Sequence, residues 1–250
     1  MIGTTRIDLA TENPLHQFAI ERLAEIHIGR FDLSFTNSAL AMTAAAVIIT
    51  GVMVVAGRQA SMVPGRLQSA VEMAYEFIAN MVEENVGQEG RQYFPFLFTL
   101  FMFILLGNLL GMIPYSFTFT SHIVVTFAMA ATVFLGVTLI GIVRHGFHFL
   151  SLFVPQGVPK LLLLLLVPIE LLSYCIRPFT LSIRLFANMM AGHTMLVIFA
   201  GFTASLGIFF FAPILMDAAI VLLEFLVAVL QAYVFTILSC LYLKDAIHLH

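Results

Sequence analysis

The sequence predicts an all-α integral membrane protein, and three observations carry that prediction. The chain of 250 residues is 61% hydrophobic and 10% charged, with a mean hydropathy of +1.03, which is membrane rather than soluble composition. Its apolar residues gather in runs of about 20 or more, the length a helix needs to cross a hydrocarbon core of about 30 Å. Its 25 Phe and 13 Met suit helix packing and lipid contact, and the absence of Trp leaves any aromatic belt to Tyr and Phe. A net charge of −3 and a pI near 6.2 give no reason to expect nucleic acid. Cys175 and Cys240 lie in separate apolar segments without CxxC spacing, so neither a disulfide scaffold nor a metal site is expected.

Residues 1–33 form a polar tail (Asp8, Glu12, His16, Glu21, Arg22, Glu25, His27, Arg30, Asp32) that lacks the basic end and short apolar core of a cleavable signal. The first span is expected at 38–57. Next comes 64–86, where Leu67, Val71, Ala74, Tyr75, Ile78 and Val82 recur at helical spacing while Glu72, Glu76, Glu83 and Glu84 fall mostly on other faces. That pattern fits an amphipathic helix at the membrane surface or a helix packed on a partner outside it. Spans at 94–113 and 120–143 follow, separated by the turn Pro114-Tyr115-Ser116. The last two segments, 160–203 and 205–243, are odd. Each is far longer than about 20 residues, and neither holds a polar loop that would divide it. A pair of long, strongly tilted helices joined near Gly201-Phe202-Thr203 is the simplest solution, with Pro168, Pro178 and Pro213 placed to bend them. A re-entrant hairpin broken at Arg177-Pro178 is the competing arrangement. All of this makes one membrane domain over 1–250.

Positive charge sets the orientation. Arg58, Arg66 and Arg91 lie between the first and second spans, and Arg144 and Lys160 between the third and fourth, whereas 114–121 has neither Lys nor Arg. The charged loops should therefore face the cytoplasm, with the N-terminus outside and the C-terminus, near Lys244, inside. Arg6, Arg22 and Arg30 pull the other way.

The chemistry is concentrated in the last two segments. Arg184 stands in a strongly apolar stretch, where an arginine at membrane depth costs at least about 2.5–3.5 kcal/mol and cannot lose its proton. Glu170, Arg177 and Arg184 recur every seven residues, so on a helix they line nearly one face, drifting about 20° per step. Asn188 lies one turn beyond Arg184, and Asp217, Glu224 and Gln231 show the same sevenfold spacing on the other segment. Two polar stripes on neighbouring membrane helices should face each other, a water-filled cleft or a partner. They serve either an ion path or charge pairing for assembly, with Arg184 satisfied by Glu224 or Glu170. Arg177 either snorkels or pairs with Glu170. His122, His145, His148, His248 and His250, at helix ends or tails, read as loop residues.

Three stretches resemble one family. Pro168-Ile169-Glu170-Leu171-Leu172-Ser173 with Ser182-Ile183-Arg184-Leu185-Phe186-Ala187-Asn188-Met189-Met190-Ala191-Gly192-His193 is similar to subunit a of the F-type ATP synthase. So are Leu223-Glu224 with Leu230-Gln231-Ala232-Tyr233-Val234-Phe235, and Gly107-Asn108-Leu109-Leu110-Gly111-Met112-Ile113-Pro114. The resemblance spans essentially the whole chain, and the placement of His193 and Glu224 is that of the mitochondrial and alphaproteobacterial members. The longer polar tail favours a bacterial inner membrane.

What the resemblance implies is a stator beside a rotating c-ring, held by peripheral-stalk b-type subunits in the lipid bilayer. Arg184 matches the family's essential arginine, which attracts each passing ring carboxylate and keeps protons from crossing directly between two half-channels. Glu224 and His193 match positions of the half-channel open to the outside, and Glu170 a family acid in proton passage near the cytoplasmic side. Asn188 and Gln231 position the arginine or line the path, and Asp217 joins the path more weakly. Several protons pass for each ATP, since one charge crossing yields about 2.3 kcal/mol per 100 mV. The chain is then no complete enzyme and takes no cofactor. Other classes fit less well. Only His193 lies well inside a membrane segment, too few for haem, and no internal repeat suggests a secondary transporter. A quinone site or proton-pumping respiratory subunit leaves the Arg184–Asn188–Gly192 and Gln231 pattern unexplained, and without a P-loop no nucleotide binding is expected.

Overall fold

The computed structural model describes residues 22–24, 27–28, 31–32, 34–58, 61, 63–113, 117–154, 160–205 and 211–248. Six helices carry the architecture: α1 (Asn37–Arg58), α2 (Arg66–Val86), α3 (Phe94–Gly111), α4 (Ile123–His145), α5 (Lys160–Ser205) and α6 (Phe211–Ile247). All but α2 are long and apolar enough to cross a membrane by length and composition. In the polar tail and the residues just after it, four short strands form two antiparallel ladders, β1 (Arg22–Ala24) with β4 (Phe35–Thr36) and β2 (His27–Ile28) with β3 (Phe31–Asp32). The polar composition of the tail had given no sign of them.

Local sequence explains the helix limits. Gly87 closes α2 at φ 82°, and Gly146 closes α4 at φ 56°; both are in the region where a side chain is strained. The Gly87 N–H returns to Glu83 O at 3.0 Å. A 3-10 turn, Gln88–Tyr93, then leads into α3, which opens with Pro95 in its first turn, where a missing N–H costs nothing.

Helices α5 and α6 form an antiparallel hairpin with α4 on α5 and with α2 and α3 on α6. The core lies along their shared faces and includes Ile78, Val82, Leu97, Ile104, Val133, Leu185, Met189 and Phe235. On α5 the buried positions Tyr174, Pro178, Leu181, Ser182, Leu185 and Met189 follow helical spacing, so one face packs inward while Leu172, Ile176, Ile183 and Ala187 point outward. α2 buries Ile78, Met81, Val82 and Val86. Its Phe77 meets Phe101 and Tyr233, with ring centroids at 6.1 and 5.7 Å. Leu67 and Tyr75, expected on the apolar face, stay exposed.

Three expectations are corrected. α5 runs unbroken through Arg177-Pro178, so the re-entrant hairpin does not form; both Pro168 and Pro178 are accommodated inside the helix. The hairpin joint, expected near Gly201-Phe202-Thr203, falls slightly later, because α5 continues to Ser205; residues 206–210 lie outside the described residues. The turn at Pro114–Ser116 likewise lies outside the described residues. Beyond it, the third span begins at Ile123, because Phe119–Ser121 form a 3-10 turn first.

α3 shows how the sequence seats that turn. A Cβ at Gly107 would collide with the Phe119 ring, and one at Gly111 would fall 2.5 Å from Thr118 Cγ2 and 2.6 Å from Thr118 Oγ1. Two glycines one helical turn apart thus open a groove that holds residues 118 and 119. Between them, Asn108 is fully buried and donates from Nδ2 to Ala228 O at 3.1 Å, which ties α3 to α6. Interhelical hydrogen bonds of this kind in membranes contribute about 0.6 kcal/mol on average.

Candidate functional site

The polar side chains of the α5–α6 hairpin form two clusters at opposite ends, with Arg184 between them. At one end, beside the Phe119–Ser121 turn, His193 and Glu224 meet: His193 Nδ1 is 3.4 Å from Glu224 Oε1. Glu224 is 4% exposed, and neither of its carboxylate oxygens has a hydrogen bond of good geometry among the described residues. An acid buried this way is costly unless protonated or matched by a cation. Gly192 makes the approach possible, since a Cβ there would stand 2.9 Å from Glu224 Oε1 and 3.1 Å from Glu224 Cδ.

On its other side His193 reaches the turn. Nε2 is 3.1 Å from Thr118 Oγ1, and Thr118 Oγ1 donates to Gly111 O at 3.1 Å. Further buried polar atoms gather in the same turn. Thr120 Oγ1 and His122 Nε2 are enclosed without hydrogen-bond partners among the described residues, the His122 ring stacks on Phe117 at 5.0 Å, and Thr126 Oγ1 meets Ser182 Oγ at 3.1 Å. Asp217 Oδ1, two turns before Glu224 on α6, is also enclosed and has no hydrogen-bond partner among the described residues.

The opposite cluster centres on Arg177. Its Nη1 donates to Asp245 Oδ2 at 2.9 Å, and its guanidinium lies 5.3 and 4.9 Å from the Tyr174 and Tyr242 ring centroids. Of the alternatives for Arg177, pairing with Glu170 gives way to this contact, because Asp245 in the last turns of α6 lies against it. Nearby, Arg144 and Glu89 form an ion pair, and His145 Nε2 meets Ile247 O at 3.0 Å. His248 Nε2 is 3.4 Å from Val86 O. His145 and His248 thus join elements, and His122 is half-buried, whereas all three had read as loop residues; His148 is exposed as expected and His250 lies outside the described residues.

Arg184 stands apart from both clusters. It is exposed in mid-helix and makes no hydrogen bond or ion pair among the described residues. The pairing of Arg184 with Glu224 or Glu170 is therefore not present. Its distances along α5 are about 13 Å to His193 and about 10 Å to Arg177 at 1.5 Å per residue. The register that sets Glu224 against Gly192 and Asp245 against Arg177 brings Gln231, which is buried, to the level of Asn188. Glu170 and Asn188 are half-buried on the same side of α5 as Arg184. The sevenfold stripes are thus real as faces, but they are offset. Of the α6 stripe, Glu224 meets the far end of α5 at His193 and Gly192, not Arg184.

Reading the sequence had missed Thr118, Asn108 as a buried tether, and Asp245. The first two carry a signal in the glycine pair around Asn108, which marks close approach. Asp245, next to Lys244 at the chain's end, carries none.

Comparison with known proteins finds relatives over most of the chain. The family described as ATP synthase A chain matches residues 39–244. The protein titled ATP synthase subunit a of Paramagnetospirillum magneticum is 54% identical over 245 residues, 95% of this chain and 99% of the relative. That of Rhodospirillum rubrum is 53% identical over 239 residues, 95% and 99%. That of Parvibaculum lavamentivorans is 55% identical over 243 residues, 94% of each.

Proposed function

The chain belongs to the ATP synthase A chain family, a non-catalytic membrane component of the ATP synthase complex, and from that premise we propose how it works. It is the stationary proton path of the motor, in the inner membrane of a bacterium. The exposed edge of the α5–α6 hairpin faces a c-ring, b-type subunits hold the chain in place, and the soluble head makes ATP.

One half-channel opens outside and ends at His193 and Glu224, with Asp217 along its wall. The other opens inside and passes Glu170. Arg184 separates them. As a fixed cation in a low dielectric it draws each ring carboxylate into its ionised form and releases it as the ring turns, so a proton enters one half-channel, rides the ring and leaves by the other. Asn188 and Gln231, level with one another, orient the guanidinium or its water. α2 lies along the inner membrane surface with its glutamates toward water.

The observation that carries this reading is Arg184, exposed in an apolar stretch of α5 and without a hydrogen bond or ion pair among the described residues, with polar clusters about 10 and 13 Å away along the helix on either side. A guanidinium held there for structure alone would be paired.

Membrane vesicles carrying Arg184→Ala test it. Proton-driven ATP synthesis should fall to background with assembly normal, while passive proton flux after removal of the head is retained or raised. Normal synthesis would overturn the mechanism.

A further inference from the structure

We infer that Thr118 is a positioning residue that fixes the tautomer of His193, so that His193 and Glu224 together hold one exchangeable proton between Nδ1 and the carboxylate. Its use rests on the proton-path reading above; its content rests on geometry. Thr118 Oγ1 stands 3.1 Å from Gly111 O and 3.1 Å from His193 Nε2. A hydroxyl has one proton, a carbonyl oxygen only accepts, and an imidazole nitrogen does either. If the proton went to Nε2, Thr118 Oγ1 and Gly111 O would face each other lone pair to lone pair in a buried site. A last-turn carbonyl of α3 would also lose its donor. The hydroxyl therefore donates to Gly111 O and accepts from Nε2–H.

A neutral imidazole carries a single N–H, so Nδ1 is left with a lone pair toward Glu224 Oε1 at 3.4 Å. That contact is attractive with one proton in it, either on the Glu224 carboxyl or on Nδ1 opposite a carboxylate. With no proton, a lone pair faces an anion. With two, an unbalanced cation is buried. The proton moves from carboxyl oxygen to nitrogen and back with no bond formed or broken elsewhere.

The sequence holds Thr118 tightly for this. Gly111 leaves it room, Ser121 Oγ donates to Thr118 O at 2.6 Å, and Phe119 is locked over Gly107. Thr118 itself is 4% exposed. Among the described residues, α3 carries no titratable group, and Arg58, Arg144 and His145 stand in the last turns of α1 and α4, at the opposite end of those helices. His122 precedes α4 with Nε2 enclosed, Asp217 lies two turns before Glu224 on α6, and Arg184 is the next charge along α5.

Solid-state ¹⁵N spectra of the whole complex in membranes, labelled in histidine and assigned with His193→Gln, read the tautomer directly. With neutral His193, the expected state is protonated Nε2 and bare Nδ1. Thr118→Val keeps the shape and removes the acceptor, so this preference should disappear, and Thr118→Ser should restore it. The pH profile of ATP-driven proton pumping should move about one unit toward acid in Thr118→Val, because the imidazolium loses a hydrogen bond to its charged form, and return in Thr118→Ser. A neutral His193 protonated at Nδ1 and bare at Nε2 in the unaltered protein overturns the inference, and so does a Thr118→Val profile that superimposes on it. Should Thr118→Val fail to assemble, the tautomer of the unaltered complex decides alone. Normal synthesis in Arg184→Ala would remove the proton-path reading and leave the tautomer standing, whereas a neutral imidazole with Nδ1–H and bare Nε2 would remove the tautomer and leave Arg184 in its role.

Discussion

At Gly192 the lack of a side chain decides where a carboxylate lies. Glu224 folds against the α5 backbone there, and an added methyl would meet its Oε1 at 2.9 Å. The atom in the way is the free end of a flexible side chain, so the helix itself should tolerate alanine and gain up to about 1 kcal/mol of propensity over glycine. Gly192→Ala is therefore expected to assemble normally while swinging Glu224 away from His193. Proton pumping by assembled complexes should fall about tenfold or more, as small misplacements of reacting groups do. Native gels and acridine-dye quenching on the same vesicles separate the two effects, and full pumping would show that the position of Glu224 is immaterial. The sequence made Glu224, His193 and Arg184 legible because intramembrane polar residues are few and expensive. It did not show their partners. Sevenfold spacing fixes a face of a helix, but which acid meets which base depends on the vertical offset of two helices, and nothing in either segment's own pattern encodes that.

Between elements, the contacts that set the offset are backbone approaches and end-to-end ties. The α3 groove is the first. Phe119 is 1% exposed and rigid, so Gly107→Ala must displace a ring rather than a chain end. Overpacking of this sort costs roughly 1–3 kcal/mol. Less complex should assemble, and Phe119→Leu in the same chain should recover part of the loss; normal assembly of Gly107→Ala would sink the groove argument. The second tie is Arg177 with Asp245, whose side chains are 22% and 36% exposed. Partial solvent contact keeps this ion pair below about 1 kcal/mol, so Asp245→Asn should lower thermal stability only slightly. A large loss would mean that the pair is more enclosed than these exposures indicate. Helix existence and order were legible, since apolar runs of span length admit little else. The ends were not, because the 3-10 turns at Gln88–Tyr93 and Phe119–Ser121 and the extension of α5 to Ser205 depend on packing against neighbouring helices.

For the whole molecule, two independent patterns agree on direction. The end that holds Thr118, His193 and Glu224 is the end of the loop without Lys or Arg, and the end that holds Arg177, Asp245, Arg144 and Glu89 is the end of the basic loops. Basic loops stay on the side where the chain is made, so the His193–Glu224 cluster should face outward and the Arg177–Asp245 cluster inward. Two cysteines placed in a background of Cys175→Ser and Cys240→Ala report this. One, His148→Cys, lies in the exposed 3-10 turn that follows α4; the other, Ser34→Cys, precedes α1. A membrane-impermeant maleimide should label Ser34→Cys in spheroplasts and His148→Cys only in inverted vesicles. The opposite pattern would turn the chain over in the bilayer and exchange the two half-channels. A carboxylate that the present reading loads from outside would then have to empty there, and the sense of rotation for a given proton gradient would reverse with it. The helices and the distances around Arg184 would be unchanged, which is why orientation has to be measured separately from fold.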